Sequence, residues 1–124
     1  MLRKISRALG YSKCISVGEY ELWVKHAVAP DELAEGLMNV KELTLHNGCL
    51  LDFGTEQSIG LWMKNCCIPL TAVVLNKKGE VTDIMEMSHT DPYKAHHSFG
   101  QYALELNPIV VKQLNIKVGD KIKL

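Results

Sequence analysis

The sequence predicts a mostly β domain, a β-rich α+β arrangement packed as a small barrel or sandwich with two short helices. Three observations carry that expectation. Apolar and polar residues alternate with a period of two in several short segments. Turn-forming residues separate those segments. Helical spacing occurs in only two stretches, each opening on a proline.

The elements follow in order. Tyr20, Leu22, Val24, His26 and Val28 alternate with Glu21, Trp23, Lys25 and Ala27, the pattern of a half-buried strand. Pro30 then suits a first helical position, Asp31 and Glu32 complement the positive helix start, and Leu33 and Leu37 lie four apart. One or two helical turns end near Gly36 to Asn39, with Leu37 and Met38 read as core filling. The apolar run from Cys49 to Phe53 predicts a buried strand behind the turn dipeptide Asn47-Gly48. The segment Ser58 to Cys66 predicts another strand, with Ile59, Leu61 and Met63 on one face and Trp62 and Lys64 on the other. Two β-rich runs joined by Asn76-Lys77-Lys78-Gly79 predict a hairpin, because Gly79 can take the positive φ such a turn needs. The polar stretch that follows, including residues 89–101, predicts a long loop. A strand over residues 102–106 leads to a helix capped by Asn107 with Pro108 behind it, and residues 117–124 predict a last strand.

With 124 residues, 47% of them apolar and 23% charged, the chain is expected to form one core. Residues 19–124 are assigned to a single β-rich domain and residues 1–18 to a basic N-terminal arm, expected to be frayed. Fourteen basic residues balance fourteen acidic ones, so the field that non-specific phosphate binding relies on is missing, and no nucleic-acid partner is expected. No apolar run approaches the roughly 20 residues that span a bilayer, and none follows the basic start as a secretory signal requires. The expectation is a cytoplasmic protein in which Cys14, Cys49, Cys66 and Cys67 are free thiols. Adjacent Cys66 and Cys67, like adjacent His96 and His97, lack the spacers of metal-ligand pairs, so no metal and no cofactor are expected.

Several short pieces occur in a particular order: Glu35-Gly36-Leu37-Met38, Gly48-Cys49-Leu50-Leu51, Trp62-Met63-Lys64-Asn65-Cys66, Ile68-Pro69-Leu70, Gly79, Leu104-Glu105 and Gly119-Asp120. Together they resemble the uncharacterised bacterial and archaeal family called domain of unknown function 192, from about Trp23 to the end. The resemblance implies a compact β-rich domain and no particular reaction. Cys49 stands where the family usually has methionine, Cys66 where it has threonine and Thr71 where it has aspartate. The family's glycine after the Leu-Glu strand has no counterpart here, and the export that many members show is not expected.

The candidate ligand-binding residues are Trp62, Lys64, Asn65 and Glu105. An indole beside an ammonium forms a cation-π contact, or a platform with a positive handle for an anion or carbonyl, and Asn65 adds an amide. The plainer reading, that Lys64 and Asn65 only satisfy a turn before Pro69, is favoured over the site reading without displacing it. Glu105, in an apolar strand, needs water or a cation, and Lys64 is the candidate partner. Two functions stand. The first is a non-enzymatic binding or accessory module that offers this surface to a small anionic or carbonyl-bearing ligand or a partner peptide. The alternative is a small hydrolase or transferase using Cys66 or a carboxylate, with His89, His96 or His97 as base. No residue is assigned as catalytic. Of the thiols, Cys49 and Cys67 are expected to be inert and Cys66 the reactive one.

Overall fold

The computed structural model describes residues 10–124. Within these residues six strands and two helices follow one another as β1 (Lys13–Val17), β2 (Tyr20–Ala27), α1 (Pro30–Glu35), β3 (Asn47–Leu61), β4 (Leu70–Leu75), β5 (Val81–Met87), β6 (His96–Leu106) and α2 (Pro108–Gln113). The strands form one sheet in the order β1-β2-β3-β6-β4-β5. Only β2 and β3 run parallel, with α1 in the crossover between them, as a parallel pair requires a long connection.

Among the described residues the sheet is not a closed barrel, which corrects that part of the expectation, whereas the β-rich α+β class with two short helices holds there. The C-terminal segment nevertheless touches both edges, Lys123 bridging to Ser16 of β1 and Lys121 to Glu80 just before β5. Residues 117–124 therefore contribute isolated bridges rather than the last full strand that was expected. Of the expected arm, residues 1–9 lie outside the described residues, and Lys13–Val17 is an edge strand paired with β2.

Period-two alternation in the central strands gives the sheet a core on each face. One core gathers Trp23, Cys49, Leu51, Ala72, Val74 and Ala103 under Leu37 and Met63. The other gathers Leu22, Val24, Leu50, Val73 and Leu104 under Val110 and Val111 of α2. Covering both faces explains why β4 is buried along its whole length.

Several local expectations hold. The Asn107 side chain accepts from the Ile109 amide, and Pro108 opens α2. The β4–β5 hairpin forms, with Gly79 at φ 80°. A Cβ there would also lie 2.7 Å from the Ile122 carbonyl oxygen, so no other residue fits beside the C-terminal segment. The two expected strands around residues 49–61 are one strand, β3, whose register against β6 shifts between Asp52 and Gln57. The loop before β6 is shorter than expected, since His96 and His97 already pair with Leu61 and Gly60.

Candidate functional site

Glu105 is the starting point. It lies on β6 between Cys49 of β3 and Ala72 of β4, two small residues that leave room above its side chain. The alternation that places Leu104 and Leu106 in one core sends Glu105 to the opposite face, where it is 5% exposed. It lines a cavity of about 110 Å³. The walls come from the end of α1 and the turn after it (residues 33–38), from Leu51, Gly60 and Leu61 of β3, and from Trp62 and Cys66.

Gly36 brings one wall against the carboxylate. It terminates α1 with φ 47° and ψ −117°, a conformation that favours glycine, and its amide donates to the Glu32 carbonyl. A Cβ on Gly36 would lie 3.1 Å from Glu105 Oε1. Among the described residues no side chain donates to or ion-pairs with that carboxylate. Burial accordingly pushes the Glu105 carboxyl up to about 7.

The expected Lys64–Glu105 pair does not form. β3 ends at Leu61, so the alternation assumed for residues 62–66 stops where the turn begins. Lys64 instead places Nζ 5.3 Å from the centroid of the Trp62 ring, which is the cation-π contact the sequence suggested. Trp62 is 48% exposed and also meets Tyr93 edge-on at 6.2 Å. Met63 is fully buried with Ile59 and Leu61, as the inner face of that segment was expected to be, and its amide donates to the Pro92 carbonyl.

Asn65 has a structural part. It takes φ 60°, its carbonyl accepts from the Asn39 amide at 2.8 Å, and its Nδ2 lies 4.0 Å from Met38 Sδ. The turn is thereby tied to the 36–39 segment that walls the cavity. Of the four candidates, Trp62 and Glu105 line the cavity, Lys64 sits on the indole outside the lining, and Asn65 anchors a wall. The sequence reading missed Gly36 and Met38 as wall residues, although the Glu35-Gly36-Leu37-Met38 motif contained them.

Cys49 is placed as expected, and Cys66 and Cys67 are not. Cys67 is exposed, because residues 66–67 follow a turn instead of continuing a strand. Cys49 is buried, and desolvation raises its thiol far above the ordinary value, with Glu105 adding to the rise. Cys66 is pushed up to about 11, again by burial first and Glu105 second. A thiol so raised is a poor nucleophile at neutral pH. No histidine lines the cavity with it: His96 and His97 lie at the start of β6, and His89 is exposed. In native protein a maleimide is expected to label Cys67 first and Cys49 last, read by peptide mass spectrometry. Labelling of Cys49 at the rate of Cys67 would contradict this placement.

Comparisons with known proteins agree on the fold and are silent on activity. Residues 14–124 match the model of the family domain of unknown function 192, described as an uncharacterised ACR. No curated protein matches. A crystal structure from Sinorhizobium meliloti 1021, named provisionally as a transcription regulator, is similar with a TM-score of 0.81 and 29% identity over 89% of each chain. A protein of unknown function from Novosphingobium aromaticivorans DSM 12444 has a TM-score of 0.81 and 24% identity, over 90% of this chain and 84% of the other, a likeness of fold alone.

Proposed function

We propose, for a chain that belongs to the domain of unknown function 192 family over residues 14–124, that it is a non-enzymatic binding module receiving a small ligand, or a side chain of a partner peptide, between Trp62 and Glu105. The observation that carries this is the Glu105 carboxyl, buried and unpartnered among the described residues, in the floor of a cavity with an exposed indole in its wall. A buried polar group with no protein partner costs stability, and a ligand supplying the missing hydrogen bond offsets that cost.

The Trp62-Lys64 stack supplies the outer part of such a site. A carbonyl or anionic group of the ligand would meet the Lys64 ammonium at the rim, because the carboxyl at the floor repels an anion deeper in. The Cys66 alternative has little support, given a raised thiol and no histidine among the described lining residues. The transcription-regulator label of the Sinorhizobium structure is not carried over, because balanced charge gives no field toward DNA. No helix among the described residues is long and apolar enough to cross a membrane. We place the protein in the cytoplasm, a proposal supported by its four free thiols.

Fragment titration followed by amide NMR tests the reading. Binders are expected to shift Gly36, Leu61, Trp62 and Cys66 together, and Trp62→Ala to weaken them about tenfold, the effect of losing an aromatic wall worth roughly 1 to 2 kcal/mol. Binders that map only to the open groove at Pro69, Met87 and Lys112 would overturn it.

A further inference from the structure

The proposed binding site leaves the chemistry of the buried end of its ligand open, and the lining decides it. Among the described residues around the cavity two are acidic, Glu105 at the floor and Glu35, exposed at the end of α1, and none is basic. Two lysines of neighbouring segments are engaged elsewhere: Lys64 lies over the Trp62 indole outside the lining, and Lys25 of β2, in register with Cys49, lies over the Tyr11 ring. The remaining surface is apolar or sulfur-bearing: Leu33, Leu51, Leu61, Met38 and Cys66.

We infer that the floor of this cavity is a subsite for a primary ammonium group on a short alkyl chain, the nitrogen donating to the Glu105 carboxylate while the chain lies against Leu51, Leu61 and the Trp62 indole. The inference rests on the binding-module reading and names the group it binds. A neutral donor would satisfy one hydrogen bond, whereas an ammonium also neutralises the buried charge, and charge-assisted bonds are about twice as strong as neutral ones. The indole adds a π face of the kind that already attracts Lys64. A metal ion fits less well, since no three His, Cys, Asp or Glu side chains group together among the described residues. The volume of about 110 Å³ suits a chain of a few carbons.

Proton balance follows from the same groups. An alkylamine stays protonated across the neutral range, with a pKa near the ~10.4 of lysine. Binding therefore draws the Glu105 proton into solvent and leaves a carboxylate facing an ammonium. Among the described residues, the other titratable groups on this side of Glu105 are the thiols of Cys49 on β3 and Cys66 after the turn, both held protonated by burial, Glu35 from α1, and Lys25 of β2, in register with Cys49 and lying over the Tyr11 ring. β4 contributes Ala72, which does not titrate.

The test titrates the full chain with n-propylammonium chloride, and separately with n-propanol and propionamide, following the Trp62 indole and Gly36 amide by NMR at pH 5.5, 7 and 8.5. Propylammonium is expected to bind at this site, roughly tenfold or more tightly at pH 8.5 than at pH 5.5, with the neutral analogues much weaker. Glu105→Gln should lose at least tenfold in affinity and the pH dependence with it, while Glu35→Gln should lose less. Propionamide binding that weakens as pH rises would show Glu105 acting as a donor: the ammonium inference falls and the binding module stands. Propylammonium binding equally well to Glu105→Gln would also overturn the inference. If no probe shifts Trp62 and Gly36, and no fragment does, both readings fall together.

Discussion

Glu105→Gln is expected to stabilise the protein at pH 8 by about 3 kcal/mol and to leave it nearly unchanged at pH 4. The carboxyl titrates at about 7 when folded, above its ordinary value of 4.5, because burial disfavours the ionised form. A raised folded value means that ionisation favours unfolding. The contribution of the neutral carboxyl is whole below pH 4.5 and is lost as pH rises through 7. At about 1.4 kcal/mol for each pH unit between the two values, the full loss is about 3 kcal/mol. Glutamine keeps the shape and removes the charge, so the variant escapes that loss. Urea unfolding of both proteins at pH 4, 6 and 8 reads the difference directly, and other titrating groups cancel in it. Parallel pH curves for the two proteins would show that Glu105 is paired or hydrated in solution.

This sensitivity was half legible in the sequence. A glutamate between leucines in "YALEL" signals a buried carboxyl, and alternation places it opposite Leu104 and Leu106. Its partner was misread because alternation was carried past Leu61, where the chain turns at Asn65 with a positive φ. Asparagine tolerates that conformation, but nothing in "WMKNCC" announces it as glycine would. The hairpin, β2 and both helices were readable because Gly79, Pro30, Asn107 and Pro108 act locally and agree with the apolar period. β1 was not, since its five residues carry a single buried side chain, Ile15, and are held by pairing with β2. The start of β6 was hidden for the same reason: His97 and Phe99 are exposed, and the pairing to Gly60 and Ser58 holds them in the strand. The Gly36 wall is a tertiary fact, in which a helix end meets a strand nearly seventy residues later, and periodicity does not report such a meeting.

Gly36→Ala is expected to cost about 2 to 3 kcal/mol, combining a backbone conformation that L residues rarely adopt, worth roughly 1 to 3 kcal/mol, with a new Cβ 3.1 Å from Glu105 Oε1. Gly119→Ala separates the two causes. Gly119 has φ 98° and nothing within 4 Å of an added Cβ, so its cost is strain alone. Both variants should lower the urea midpoint, and only Gly36→Ala should couple to the carboxylate. In a double-mutant cycle with Glu105→Gln, the Gly36 pair should deviate from additivity by roughly 0.5 kcal/mol or more, as groups in contact do, while the Gly119 pair should add. Lys64→Met combined with Glu105→Gln should add as well, because the ammonium lies over Trp62 and not at the carboxylate. Coupling in the Lys64 pair and none in the Gly36 pair would place the carboxylate at the turn rather than beneath the end of α1, and would move the floor of the cavity with it.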